Sequence, residues 1–111
     1  MSPPIGETGS GAPTPPAEGG QPALSQQVRI VNRRGLHARA AARFVMLAER
    51  FEAAVEVAKD GQSVSARSIM GLMMLGAGCG SEVTLRAEGW DAKAALEALA
   101  ALIEAGFDEQ D

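Results

Sequence analysis

The sequence predicts an α+β domain in which three helices cover one face of a four-stranded antiparallel sheet, in the order β-α-β-β-α-β-α. Three observations predict it. Each helical stretch carries a single apolar stripe, each strand stretch is apolar only at alternate residues, and an Asp60-Gly61 pair joins two of those alternating runs. Helices and strands of this kind each have one side to bury, so they stack as two layers and leave the other face of the sheet to solvent.

The chain opens with a stretch of different character. Met1 to about Ser25 is rich in Pro, Gly, Ser, Thr and Ala and holds all 6 prolines of the protein. Its apolar surface is too small to offset an ordering cost of about 1–2 kcal/mol per residue, so residues 1–25 are expected to be a disordered extension. The domain proper is expected over residues 26–107, and residues 108–111 as a frayed acidic C-terminus.

Val28 to Asn32 is the first strand, with Val28 and Ile30 on one face, and Arg33-Arg34-Gly35 turns out of it. Ala38 to about Arg50 follows as a helix whose inward stripe takes in Ala41, Val45 and Ala48, flanked by Phe44 and Phe51. Val55 and Val57, then Val64 and Ala66, alternate with polar neighbours on either side of Asp60-Gly61. Both central residues of a type I′ turn need φ > 0, which Asp-Gly tolerates, so these runs form a hairpin. Ser68 then caps a short helix over Ile69-Met70-Gly71-Leu72-Met73-Met74-Leu75, broken by Gly76, Gly78 and Gly80. Glu82 to Ala87 alternates again, with Val83, Leu85 and Ala87 inward, and Gly89 and Asp91 end that strand and cap the last helix. From Ala92 to Ile103 the apolar residues Ala92, Ala95, Leu96, Leu99, Leu102 and Ile103 recur at spacings of three and four.

Composition bounds the function. With 46% hydrophobic and 22% charged residues the chain is an ordinary soluble protein of one modest core, and a net charge of −4 argues against general nucleic-acid binding. The single cysteine, Cys79, has no partner for an internal disulfide. No apolar run approaches the roughly 20 residues that span a bilayer, and the N-terminus lacks a charged start followed by an apolar core. A cytosolic monomer without nucleic-acid or membrane partners is expected.

The chemistry concentrates on Gly35-Leu36-His37-Ala38-Arg39, which holds the only histidine. Gly35 closes a turn and an Ala-rich helix follows, so His37 falls at the helix N-cap. There the first backbone N–H groups have no partners and the peptide dipoles sum to a partial positive charge, so Ala38 and Arg39 offer amides to an anion held on His37. The Arg39 guanidinium suits phosphate oxygens, and Arg33, Arg34 and Arg43 add local positive charge. By position alone, a histidine at a helix start is more often a structural residue. With one histidine and one cysteine no metal site is expected, and no cofactor is implied.

Gly35-Leu36-His37-Ala38-Arg39, the later Ser68-Ile69-Met70-Gly71-Leu72 and the order of elements together resemble HPr, the histidine-containing phosphocarrier family of the phosphoenolpyruvate-dependent sugar phosphotransferase system. The resemblance covers roughly Gln26 to Phe107. It implies an open-faced β-sandwich in which His37 accepts a phosphoryl group from the phosphorylated first enzyme of the system and passes it to an acceptor domain of a sugar-specific or regulatory component. It also implies that Ser68, as a bare residue simply a helix cap, is the target of a bifunctional serine kinase/phosphorylase. Such a protein is no enzyme itself; its partners consume and regenerate it stoichiometrically. The chain departs from the family in having Ala40 where proline commonly stands, and in its N-terminal extension.

Met46, Ile69, Met70 and Met73 are read as a partner-docking patch. A helix as short as the one after Ser68 cannot bury all its apolar residues, and methionine adapts to several surfaces. Two alternatives stay open: a purely regulatory protein of the same fold controlled through Ser68 that binds a kinase or transcription factor, and a small-ligand-binding ferredoxin-like domain.

Overall fold

A computed structural model describes residues 23–109, and its elements follow the predicted order. β1 spans Leu24–Arg29, α1 Ala38–Ala48, β2 Ala54–Lys59, β3 Gln62–Ser65, α2 Ile69–Met74, β4 Glu82–Glu88 and α3 Ala92–Glu104, followed by a 3-10 turn over Gly106–Asp108. The strands form one antiparallel sheet in the order β1-β4-β2-β3. The predicted extension lies outside the described residues as far as residue 22.

Alternation along the strands decides which face is covered. Val28, Val83, Leu85, Val55 and Val57 are buried, while Arg29, Glu56, Arg86 and Glu88 beside them are exposed. The register stacks the apolar set in rows, Val28 opposite Val83 and Val57 opposite both Leu85 and Val64. Onto this face α3 brings Leu99 and Ile103, α1 brings Phe44 and Val45, and α2 brings Leu72, all buried. α3 packs on β1 and β4, and α1 packs on both α2 and α3. Each such side chain contributes about 1.5–3 kcal/mol by leaving water. The hairpin forms as expected, with Asp60 at φ 52° and Gly61 at φ 83°.

Four expectations are corrected. The first strand runs over Leu24–Arg29 rather than Val28 to Asn32, because β4 offers a partner along its whole length: Leu24 and Ser25, assigned by composition to the extension, pair with Ala87 and Arg86. α1 ends at Ala48 rather than Arg50, since Arg50 and Phe51 donate to Leu47 O and Ala48 O in tighter turns. Asp91 stands at the N-cap of α3 but does not cap it with its side chain. Its carboxylate accepts instead from the backbone N–H groups of Glu52, at 2.9 Å, and Ala53, at 2.8 Å, tying the α1–β2 loop to the start of α3. Finally, Asp108 and Glu109 are not frayed: Glu109 is held against His37 and Asn32, for reasons given below.

Candidate functional site

The turn between β1 and α1 is built to present His37. Asn32 is buried, and its side-chain Nδ2 donates to Gly35 O at 2.8 Å while Gly35 N donates to Asn32 O at 3.2 Å. Gly35 takes φ 68°, and Leu36 N donates to Ala77 O at 2.9 Å, pinning the turn to the loop after α2. His37 follows as the N-cap of α1 in extended conformation, its carbonyl accepting from Ala41 N at 2.8 Å. Its side chain makes no cap hydrogen bond, so the first-turn N–H groups near Ala38 and Arg39 are left for an external acceptor. The ring borders a shallow depression of about 220 Å³ lined also by Arg34, Leu36, Gly76, Ala77 and Gly78.

The other residues read from the sequence fall in different places. Arg39 lies exposed in the first turn of α1, close to His37 in the chain. Arg43, read as part of the local positive charge around His37, holds the C-terminal segment: its guanidinium donates to Phe107 O. Ser68 caps α2 as predicted, its Oγ accepting from Gly71 N at 2.9 Å. Ile69, Met70 and Met73 project from α2 and are exposed, since only Leu72 of that helix is buried. Met46, also exposed, lines a groove with Arg43, Leu47, Arg50, Leu102 and Asp108. Met74, which the sequence reading left out, is 75% exposed and enlarges the α2 patch.

Glu109 is the residue that sequence reasoning missed. One carboxylate oxygen meets His37 Nε2, and the other accepts from Asn32 Nδ2 at 3.0 Å. Burial alone pushes the carboxyl pKa up, but hydrogen bonds from His37 and Asn32 and the charges of His37 and Arg34 outweigh it and hold the group below the usual carboxylate range. The only signal in the sequence is Gly106-Phe107 after the last helix, where a glycine able to reverse the chain precedes an apolar residue that needs burial. Among the described residues no three His, Cys, Asp or Glu side chains gather as a metal site, and no helix is long and apolar enough to cross a membrane.

Residues 24–105 match the family model described as the PTS HPr component phosphorylation site. The chain belongs to the HPr family. It is 46% identical over 86 residues to the phosphocarrier protein NPr of Shewanella violacea, covering 78% of this chain and 94% of that one. With the phosphocarrier protein HPr of Cupriavidus necator the identity is 48% over 86 residues, 78% of this chain and 97% of the relative. The crystal structure of HPr from Bacillus anthracis superposes with a TM-score of 0.72 at 47% identity, covering 75% of this chain and 99% of that chain. The four-stranded open sheet and its three helices are those of HPr, and the match takes in both the His37 turn and the Ser68 helix.

Proposed function

We propose that this protein is a phosphocarrier whose His37 takes a phosphoryl group from the first enzyme of the phosphotransferase system and hands it to an acceptor domain. The observation that carries this reading is His37 at the N-cap of α1, its side chain making no cap hydrogen bond, with first-turn amides beside it. An imidazole nitrogen is a competent nucleophile toward phosphorus, and the N–P bond it forms is labile enough to be broken again. A phosphoryl group brings about −1.5 to −2 charges, which the helix N-terminus and the Arg39 guanidinium favour. Transfer of this kind is chiefly positioning and electrostatics, so a carrier needs little more.

The protein then works in the cytoplasm as a substrate of its partners rather than as an enzyme. Ile69, Met70 and Met73, joined by Met74, form the surface on which partners dock, with Met46 on α1 as a further contact. Ser68 serves as the regulatory phosphorylation site. A phosphate on its Oγ places negative charge among those methionines and weakens docking while leaving the core untouched.

The test is to incubate the purified chain with phosphoenolpyruvate and the first enzyme, and to compare the intact mass of wild type and His37→Ala. One acid-labile phosphoryl group on wild type alone is the expected result. No gain, with the first enzyme shown active on another HPr, refutes the carrier reading.

A further inference from the structure

Trp90 is the only tryptophan in the chain, and phosphoryl transfer at His37 makes no use of it. We propose that Trp90 is an aromatic platform on which the chain's own proline run, Pro13-Thr14-Pro15-Pro16, docks.

Trp90 stands where the chain enters the sheet. In the register of β1 on β4, Leu24 lies opposite Ala87 and Arg29 opposite Glu82, so β1 starts beside the end of β4 that runs on through Gly89 into Trp90. The His37 turn follows the other end of β1, so the phosphoacceptor site does not account for this residue. Trp90 is 75% exposed, and Leu24, at the same end of the sheet, is 37% exposed. The loop that carries the indole is nonetheless held firmly. Gly89 sits so tightly on Ala53 that a Cβ there would stand 2.8 Å from Ala53 Cα, and the Asp91 carboxylate accepts from Glu52 N at 2.9 Å and Ala53 N at 2.8 Å. A large apolar side chain on a fixed loop offers contact area at little ordering cost.

The occupant is argued from the chain that precedes β1. Residues 1–22 carry all 6 prolines, and Pro13 and Pro16 have the Pro-x-x-Pro spacing of segments that dock on aromatic surfaces as polyproline II. Proline fixes its own φ near −65°, so such a run loses little entropy on docking. Only Ala17 to Pro22 separate Pro16 from Ala23, and they include Gly19-Gly20, a pair that permits reversal of the chain. A linker of this length has a root-mean-square span of about 13 Å, which keeps the run within reach of Trp90. So short a tether gives an effective concentration of order millimolar, and a stacking contact too weak to hold a separate peptide is thereby populated.

The test is fluorescence of the full chain, which has one tryptophan and no tyrosine, so indole emission reads Trp90 alone. The comparison is the full chain carrying Pro13→Ser, Pro15→Ser and Pro16→Ser, after amide fingerprint spectra show the domain unchanged. Wild type is expected to emit at shorter wavelength than the variant, and acrylamide to quench it with about half the variant's Stern–Volmer constant. A spin label on Thr14→Cys, in a Cys79→Ser background, is expected to broaden the single indole N–H resonance. Equal emission and quenching in the two chains overturn the proposal, as does an indole resonance that the label leaves sharp. Protection of Trp90 that fades on dilution also overturns it and assigns the platform to the proline run of a second copy.

Discussion

Gly35 lies so close to Ala77 that a Cβ at position 35 would stand 2.5 Å from the Ala77 carbonyl oxygen and 2.7 Å from Gly78 Cα. Both are backbone atoms and cannot swing aside. Gly35 also sits at φ 68°, where an L side chain is strained. Gly35→Ala is therefore expected to cost about 2–3 kcal/mol, seen as a lower urea midpoint. It should also slow phosphoryl acceptance, because the turn that shifts is the one that presents His37.

Ser68 contributes through a single hydrogen bond to Gly71 N. Ser68→Ala is expected to lower stability by about 1 kcal/mol, measured by thermal unfolding. Ser68→Asp keeps a capping oxygen and adds charge, so its unfolding should stay near wild type while its phosphoryl-acceptance rate falls. An undiminished rate would remove Ser68 from the docking surface.

Asp91 holds two backbone N–H groups at the far end of β4 from the His37 turn. Asp91→Ala leaves the Ala53 N–H unpaired, at an expected cost of about 1–3 kcal/mol in urea unfolding. Phosphoryl acceptance under folding conditions should not change, which separates this structural aspartate from the site.

Met70 is 69% exposed, so changing it removes little burial. Met70→Glu is expected to alter stability by no more than about 0.5 kcal/mol. If α2 is where partners dock, steady-state kinetics with the first enzyme will show a raised KM and an almost unchanged kcat.

The lowered carboxyl of Glu109 makes part of the stability depend on pH. A group depressed on folding contributes fully above its unfolded pKa, and the contribution is lost as pH falls through the folded one. The difference in thermal midpoint between wild type and Glu109→Gln should accordingly be widest from neutral pH down to the ordinary carboxylate range and close below it. A difference independent of pH would show that the carboxylate charge is not what stabilises the segment.

How much was legible follows from where each signal lies in the chain. The Asp60-Gly61 hairpin, the Ser68 cap and the stripe of α3 are each encoded within a few residues, and each formed as the sequence predicts. Leu24 and Ser25 were misread because nothing in their own composition shows that β4 continues far enough to pair with them. Asp91 was misread for a related reason. An aspartate before a helix reads as its cap, and only the packed loop shows two better donors 38 and 39 residues away.

By itself, then, the sequence determined the alternation that makes one sheet face, the helix that begins at His37, and the motifs at His37 and Ser68 that mark the HPr family. Tertiary structure alone decided that Glu109 meets a histidine 72 residues earlier, that Arg43 holds a carbonyl 64 residues later, and that four residues of α2 stay uncovered. The physical reason is range. Hydrophobic periodicity, turn chemistry and capping act between near neighbours, whereas a long-range pair forms only where the closed sheet and the packed helices bring two distant backbones together.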